Sequence, residues 1–130
     1  MLKSSLFIIV LLILSCTEPQ DINDSTTELD VKTEKHIEYH ANGKVKLKGD
    51  LVKGIRQNKW VSFYENGNNW SESNYLFGKK DGIYKLFYPN GTLKVHGVYE
   101  NDKKKGVWFF YNENGQFEKE IDFNKEDDND

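Results

Sequence analysis

The sequence predicts an all-β fold, an antiparallel β-meander of about four hairpin repeats, and three observations carry that expectation. Asn-Gly recurs at Asn42-Gly43, Asn66-Gly67, Asn90-Gly91 and Asn114-Gly115, each copy 24 residues after the last. Asn-Gly between β-rich runs is the strongest short hairpin signal, because both residues tolerate the positive φ that a type I′ turn demands. After the first turn the chain alternates. Val45, Leu47, Gly49 and Leu51 point one way and Lys44, Lys46, Lys48 and Asp50 the other, as a half-buried strand requires. Other columns keep the period: Tyr39, Phe63, Phe87 and Tyr111 before the turn, Trp60, Tyr84 and Trp108 three residues earlier, and Leu51, Tyr75, Tyr99 and Phe123 after it. Such a period marks an array whose units bury their apolar faces only against their neighbours.

Taken in order, residues 1–15 read as a signal peptide: Lys3 supplies a positive start, residues 6–14 (LFIIVLLIL) an unbroken apolar run, and Ser15 a small residue before the chain's one cysteine, Cys16. The run is too short to span a bilayer, which takes about 20 apolar residues. Residues 16–35 form a linker in which residues 17–34 carry six acids against one lysine, and residues 124–130 form an acidic tail. Neither can bury enough apolar area to offset a backbone entropy of roughly 1–2 kcal/mol per residue, so both are expected to be disordered. Between them, residues 36–123 make the repeat domain, which holds every aromatic residue except Phe7. Its Asn-Gly turns place Gly43, Gly67, Gly91 and Gly115 at positive φ. A second turn closes each unit at Gly54, at Gly78 to Gly82 and at Asp102 to Gly106, where Gly, Asn, Asp and Lys gather.

Ile13-Leu14-Ser15-Cys16 resembles the lipobox of bacterial lipoproteins. The resemblance implies acylation of Cys16, cleavage before it, and a mature chain exported and hung from a bacterial membrane, at the periplasmic face or the cell surface. The runs "GIYKLFYPNGTLKVHGVY" from Gly82, "GVWFFYNENGQ" from Gly106 and "NKWVSFYENGN" from Asn58 resemble the MORN-like repeats of the YwqK family of antitoxins. That resemblance implies an extended β-meander serving as an interaction surface, and secondarily an antitoxin or immunity role.

Nothing in the sequence singles out a catalytic or metal centre. His36, His40 and His96 form no His-Glu-x-x-His signature, and no Cys-x-x-Cys, Gly-x-Ser-x-Gly or phosphate-cradling loop is present. The expectation is a non-enzyme without cofactor. Charge and aromatics point instead to binding. Residues 35–117 carry a net charge of +6 within a chain of net charge −3. Lys44, Lys46 and Lys48 on one strand face suggest an anionic envelope partner, although lysines on edges also keep sheets from pairing. Export argues against nucleic acid. Trp60, Tyr84 and Trp108, sharing a face with Tyr64 and Tyr88, are either stacked core or a platform for sugar rings or a partner protein. The functional expectation is a membrane-anchored scaffold that binds a protein or ligand at the cell envelope; the alternative is a neutraliser of a toxic protein. The oligomeric state is left open.

Overall fold

The computed structural model describes residues 32–124. The expected signal peptide, Cys16, the linker up to residue 31 and the tail from residue 125 lie outside the described residues. Eight strands follow one another: β1 (Thr33–Tyr39), β2 (Val45–Val52), β3 (Ile55–Phe63), β4 (Asn69–Leu76), β5 (Lys79–Phe87), β6 (Leu93–Glu100), β7 (Lys103–Tyr111) and β8 (Phe117–Asp122). They form one sheet in the order β1-β2-β3-β4-β5-β6-β7-β8, each antiparallel to its sequence neighbour. The expected meander is therefore the observed fold. Its start lies earlier than the sequence suggests, because Thr33, Glu34 and Lys35 pair with Val52, Leu51 and Asp50. Exposed polar side chains do not oppose strand pairing at a sheet edge, where the backbone bonds are made regardless.

Two kinds of hairpin alternate, and they exchange the roles the sequence suggests. The two-residue loops Lys53-Gly54 (φ 52°, 77°), Phe77-Gly78 (φ 49°, 82°) and Asn101-Asp102 (φ 49°, 68°) have both residues at positive φ, the type I′ condition. At the Asn-Gly copies only the glycine is left-handed, with φ of 81°, 96°, 88° and 79° at Gly43, Gly67, Gly91 and Gly115. The expected type I′ turn is replaced there by a three-residue loop, a type I turn followed by a left-handed glycine. In the first copy the Gly43 N–H donates to the His40 carbonyl (2.9 Å) and the His40 N–H to the Lys44 carbonyl (2.8 Å). The asparagine side chain favours this form because its Oδ1 accepts the N–H two residues on, from Lys44 to Asn42 (3.0 Å), Asn68 to Asn66 (2.9 Å) and Thr92 to Asn90 (2.9 Å).

Each unit also carries bulges. Asn58, Gly82 and Gly106, at φ of 60°, 106° and 67°, lie where the register jumps opposite Gly49, Asn74 and Gly97. Gly82 and Gly106 are thus strand bulges rather than turn residues. At each jump three residues oppose one, and the two extra residues bend the strand and raise its local twist.

The core is one side of a single layer. Trp60, Val95 and Trp108 are its buried apolar residues, with Ser62 and Ser73 beside them. Trp60 lies flat on Gly49 and Trp108 on Gly97; a Cβ at either glycine would come within 2.2 Å of the indole. In the intervening unit Ser73 faces the smaller ring of Tyr84. Seat size follows ring size.

Candidate functional site

The face that carries these rings is organised in columns of period 24. Arg56, Lys80 and Lys104 stand over the aromatic rows of their units. The Arg56 guanidinium is 4.2 Å from the Trp60 ring centre and 5.4 Å from that of Tyr75. Lys80 Nζ is 5.3 Å from Tyr84 and 4.9 Å from Tyr99, and Lys104 Nζ is 4.9 Å from Trp108 and 4.5 Å from Phe123. Such contacts contribute about 0.5–1 kcal/mol each where exposed. Edge-to-face ring pairs tie the rows together: Tyr84 to Tyr99 at 5.4 Å, Tyr99 to Trp108 at 5.0 Å and Trp108 to Phe123 at 5.8 Å. Burial holds the Tyr84 and Tyr99 hydroxyls above their ordinary pKa, with neighbouring tyrosines adding to the shift. Both stay neutral across the physiological range.

One place breaks the columns. Ser62 stands where the later units have Leu86 and Phe110, Ser71 where others have Leu47 and Val95, and Trp70 where others have Lys46, Lys94 and Glu118. Two large side chains are missing from the floor and one aromatic is added to the wall. The result is a groove of about 230 Å³. Ser62 and Ser71, whose hydroxyls meet at 2.6 Å, and Ser73 line its floor. Trp60, Trp70, Tyr75 and Tyr84 wall it, and Arg56 and Lys80 line it as well. Trp70 is half exposed and leans toward Tyr64, with ring centres 6.3 Å apart. Arg56 donates to the Tyr75 hydroxyl (3.3 Å). Among the described residues neither Arg56 nor Lys80 has a carboxylate in ion-pairing range.

A larger hollow of about 460 Å³ lies near β1 to β3 and is lined by Lys35, Asp50, Lys59 and Val61. Two of its three lysines are ion-paired, Lys35 with Asp50 (2.6 Å) and Lys59 with Glu72 (2.8 Å), and the third, Lys48, lies over Phe63. Asp50 is accordingly held below the usual carboxylate range by hydrogen bonds from Lys35 and Asn58. Its one carboxylate is thus taken up by side chains of the same hollow, whereas the lining of the smaller groove contains cations and no carboxylate.

The residues expected to form a binding surface do not come together. Trp60 and Trp108 are 3% and 2% exposed, so they are core, and Trp60 gives the groove only the small part of its ring that is uncovered. Tyr64 and Tyr88 donate their hydroxyls to the Phe87 carbonyl (2.7 Å) and the Tyr111 carbonyl (3.0 Å), linking each turn to the next. Lys44 precedes β2 and reaches the Asn66 carbonyl (3.0 Å). Lys46 is the unpaired residue of a bulge between the Glu38–Leu47 and Tyr39–Val45 pairs, and Lys48 lies over Phe63 at 5.3 Å. The three lysines therefore do not form one row, because the turn and the bulge interrupt the alternation that would align them. Only Trp60 and Tyr84 line the groove. Arg56, Ser62, Trp70, Ser71 and Ser73 escape a reading that looks for what repeats. Their signal is the departure from the repeat.

Among the described residues no group of three or more His, Cys, Asp and Glu could hold a metal ion, and no helix is long and apolar enough to cross a membrane. The comparisons with known proteins agree with the columns. No curated protein and no solved structure gives a significant match. The family model described as the MORN repeat variant matches three successive segments, residues 56–76, 80–101 and 104–125, which together make half of the chain. Each segment begins at or beside one of the column cations and runs through one strand pair. With its period, its meander and its ring columns all explained by one repeat, the chain belongs to the MORN repeat variant family.

Proposed function

We propose that this chain is a lipid-anchored, non-enzymatic binding scaffold of the bacterial cell envelope, its sheet displayed on the acidic linker that follows Cys16. The observation that carries the binding role is the single-layer sheet. Its few buried apolar side chains hold the array together on one face, and Ile37, Ile83, Val98 and Val107 on the opposite face are left exposed. An uncovered apolar surface of this kind marks an interaction site. The lipobox-like run ending at Cys16 supports the anchor. Acylation adds about 0.8 kcal/mol of membrane affinity per buried methylene. The test is detergent-phase partitioning of the full chain with and without Cys16→Ser, combined with cross-linking in intact cells. The wild type is expected in the detergent phase, cross-linked to an envelope component, with Cys16→Ser in the aqueous phase. Unchanged partitioning of Cys16→Ser contradicts the anchor, and recovery of one toxic protein in place of an envelope component would favour the neutraliser.

A further inference from the structure

We infer that the groove walled by Trp60, Trp70 and Tyr84 is a binding site for a single sugar ring bearing a carboxylate, such as one uronic acid residue of an acidic saccharide. The inference rests on the scaffold reading and names its ligand class, but it does not depend on the lipid anchor. Four features converge. The groove exists because of coordinated departures from the repeat, Ser62 and Ser71 in place of larger side chains and Trp70 in place of a charged one. All three changes meet in the groove. Its volume, about 230 Å³, lies below the roughly 300–1,000 Å³ of sites for drug-sized ligands and suits one ring. Its lining pairs the aromatic faces of Trp70 and Tyr84, on which a sugar's C–H surface stacks, with the floor hydroxyls of Ser62, Ser71 and Ser73, which exchange hydrogen bonds with sugar hydroxyls.

Charge selects the acid. Arg56 and Lys80 line the groove with no carboxylate in ion-pairing range among the described residues, Glu38 acting on Arg56 only from farther away, and each is already positioned over aromatic rings. A planar guanidinium matches a carboxylate through two parallel bonds, and its preset orientation lowers the entropy lost on binding. A neutral sugar would find the same stacking surface and lose this contact.

The experiment titrates the purified full chain, in detergent, with digalacturonate and with cellobiose, following tryptophan fluorescence and heat. Digalacturonate is expected to saturate and to bind at least tenfold more tightly than cellobiose. Trp70→Lys copies Lys46 and Lys94 at the same bulge position, so it should keep the melting temperature while weakening digalacturonate at least tenfold. Ser71→Leu, which copies Leu47 and fills the floor, should abolish the signal. Lys80→Gln should narrow the gap between the acidic and neutral sugars. Equal affinity for the two sugars, or undiminished binding by Trp70→Lys, would overturn the inference. So would the absence of saturation by the wild type; if that chain still cross-links to an envelope component, the scaffold survives and the sugar site does not.

Discussion

At the scale of single residues the structure turns on glycines that seat rings. Gly49 and Gly97 look in the sequence like ordinary members of an alternating strand, and nothing local marks them. Their role depends on the ring that the neighbouring strand lays across them. Gly97→Ala would put a methyl group within 2.2 Å of the Trp108 indole. We expect it to cost about 1–3 kcal/mol in urea unfolding, the usual range for overpacking. An unchanged midpoint would mean that the indole does not rest on this glycine. Gly91 was legible, since Asn-Gly demands a special backbone, although the turn it makes differs from the one its dipeptide suggests. At its φ of 88°, Gly91→Val should lose about 1–3 kcal/mol and Gly91→Asn distinctly less. Equal melting temperatures for the two variants would contradict the left-handed assignment.

The strand pair and its two turns are the next scale, and here the sequence reveals the strands more clearly than the loops. Period and alternation locate strands because they report on backbone geometry, whereas turn type depends on where side chains find partners. The Asn column illustrates this. Asn42, Asn66 and Asn90 each donate an amide N–H to a carbonyl of the following unit, at Glu65 (3.0 Å), Pro89 (2.8 Å) and Glu113 (3.1 Å), while accepting from their own loop. The repetition of Asn-Gly is thus a ladder between units as well as a turn signal. Asn90→Asp keeps the acceptor for Thr92 but loses the donor to Glu113. It should fall between wild type and Asn90→Ala in stability, with steps of about 0.5–1.5 kcal/mol per bond in urea titrations. The true type I′ loops make the opposite prediction. Phe77 is 76% exposed at φ 49°, a conformation in which Asn is favoured, so Phe77→Asn should stabilise the chain by about 0.5–2 kcal/mol. A lower melting temperature would argue that the Phe77 ring has a structural role.

Across the whole molecule the array depends on contacts between neighbours, and β8 departs from the earlier units in the column of seats. Ile121 occupies the place of Gly49, Ser73 and Gly97, leaving no flat seat for a further ring. The site was less legible than the array, because the groove is made of exceptions: a serine in a strand carries no signal until its counterparts in the other units are set beside it. The pH dependence also belongs to this scale. Burial raises the pKa of Tyr64, Tyr84, Tyr88 and Tyr99. Their contribution is therefore intact below the unfolded value of about 10 and lost as pH rises through the folded values. Glu38, lowered chiefly by its hydrogen bond to His36, and Asp50 act in the opposite sense. Their contribution is present above the unfolded values of about 4 and lost as pH falls through the folded ones. Urea midpoints should decline at both extremes, the alkaline decline accompanying tyrosinate absorbance; a midpoint flat through tyrosine ionisation would contradict the buried ring rows.

The central claim is that the repeated rings build the array and the exceptions build the site. It is tested most directly by urea unfolding of Trp108→Ala beside Trp70→Lys. We predict a loss of about 3–5 kcal/mol for the first, as for other buried large side chains truncated to alanine, and no more than about 0.5 kcal/mol for the second. A Trp108→Ala chain as stable as the wild type, or a Trp70→Lys chain that unfolds as readily as Trp108→Ala, would contradict it.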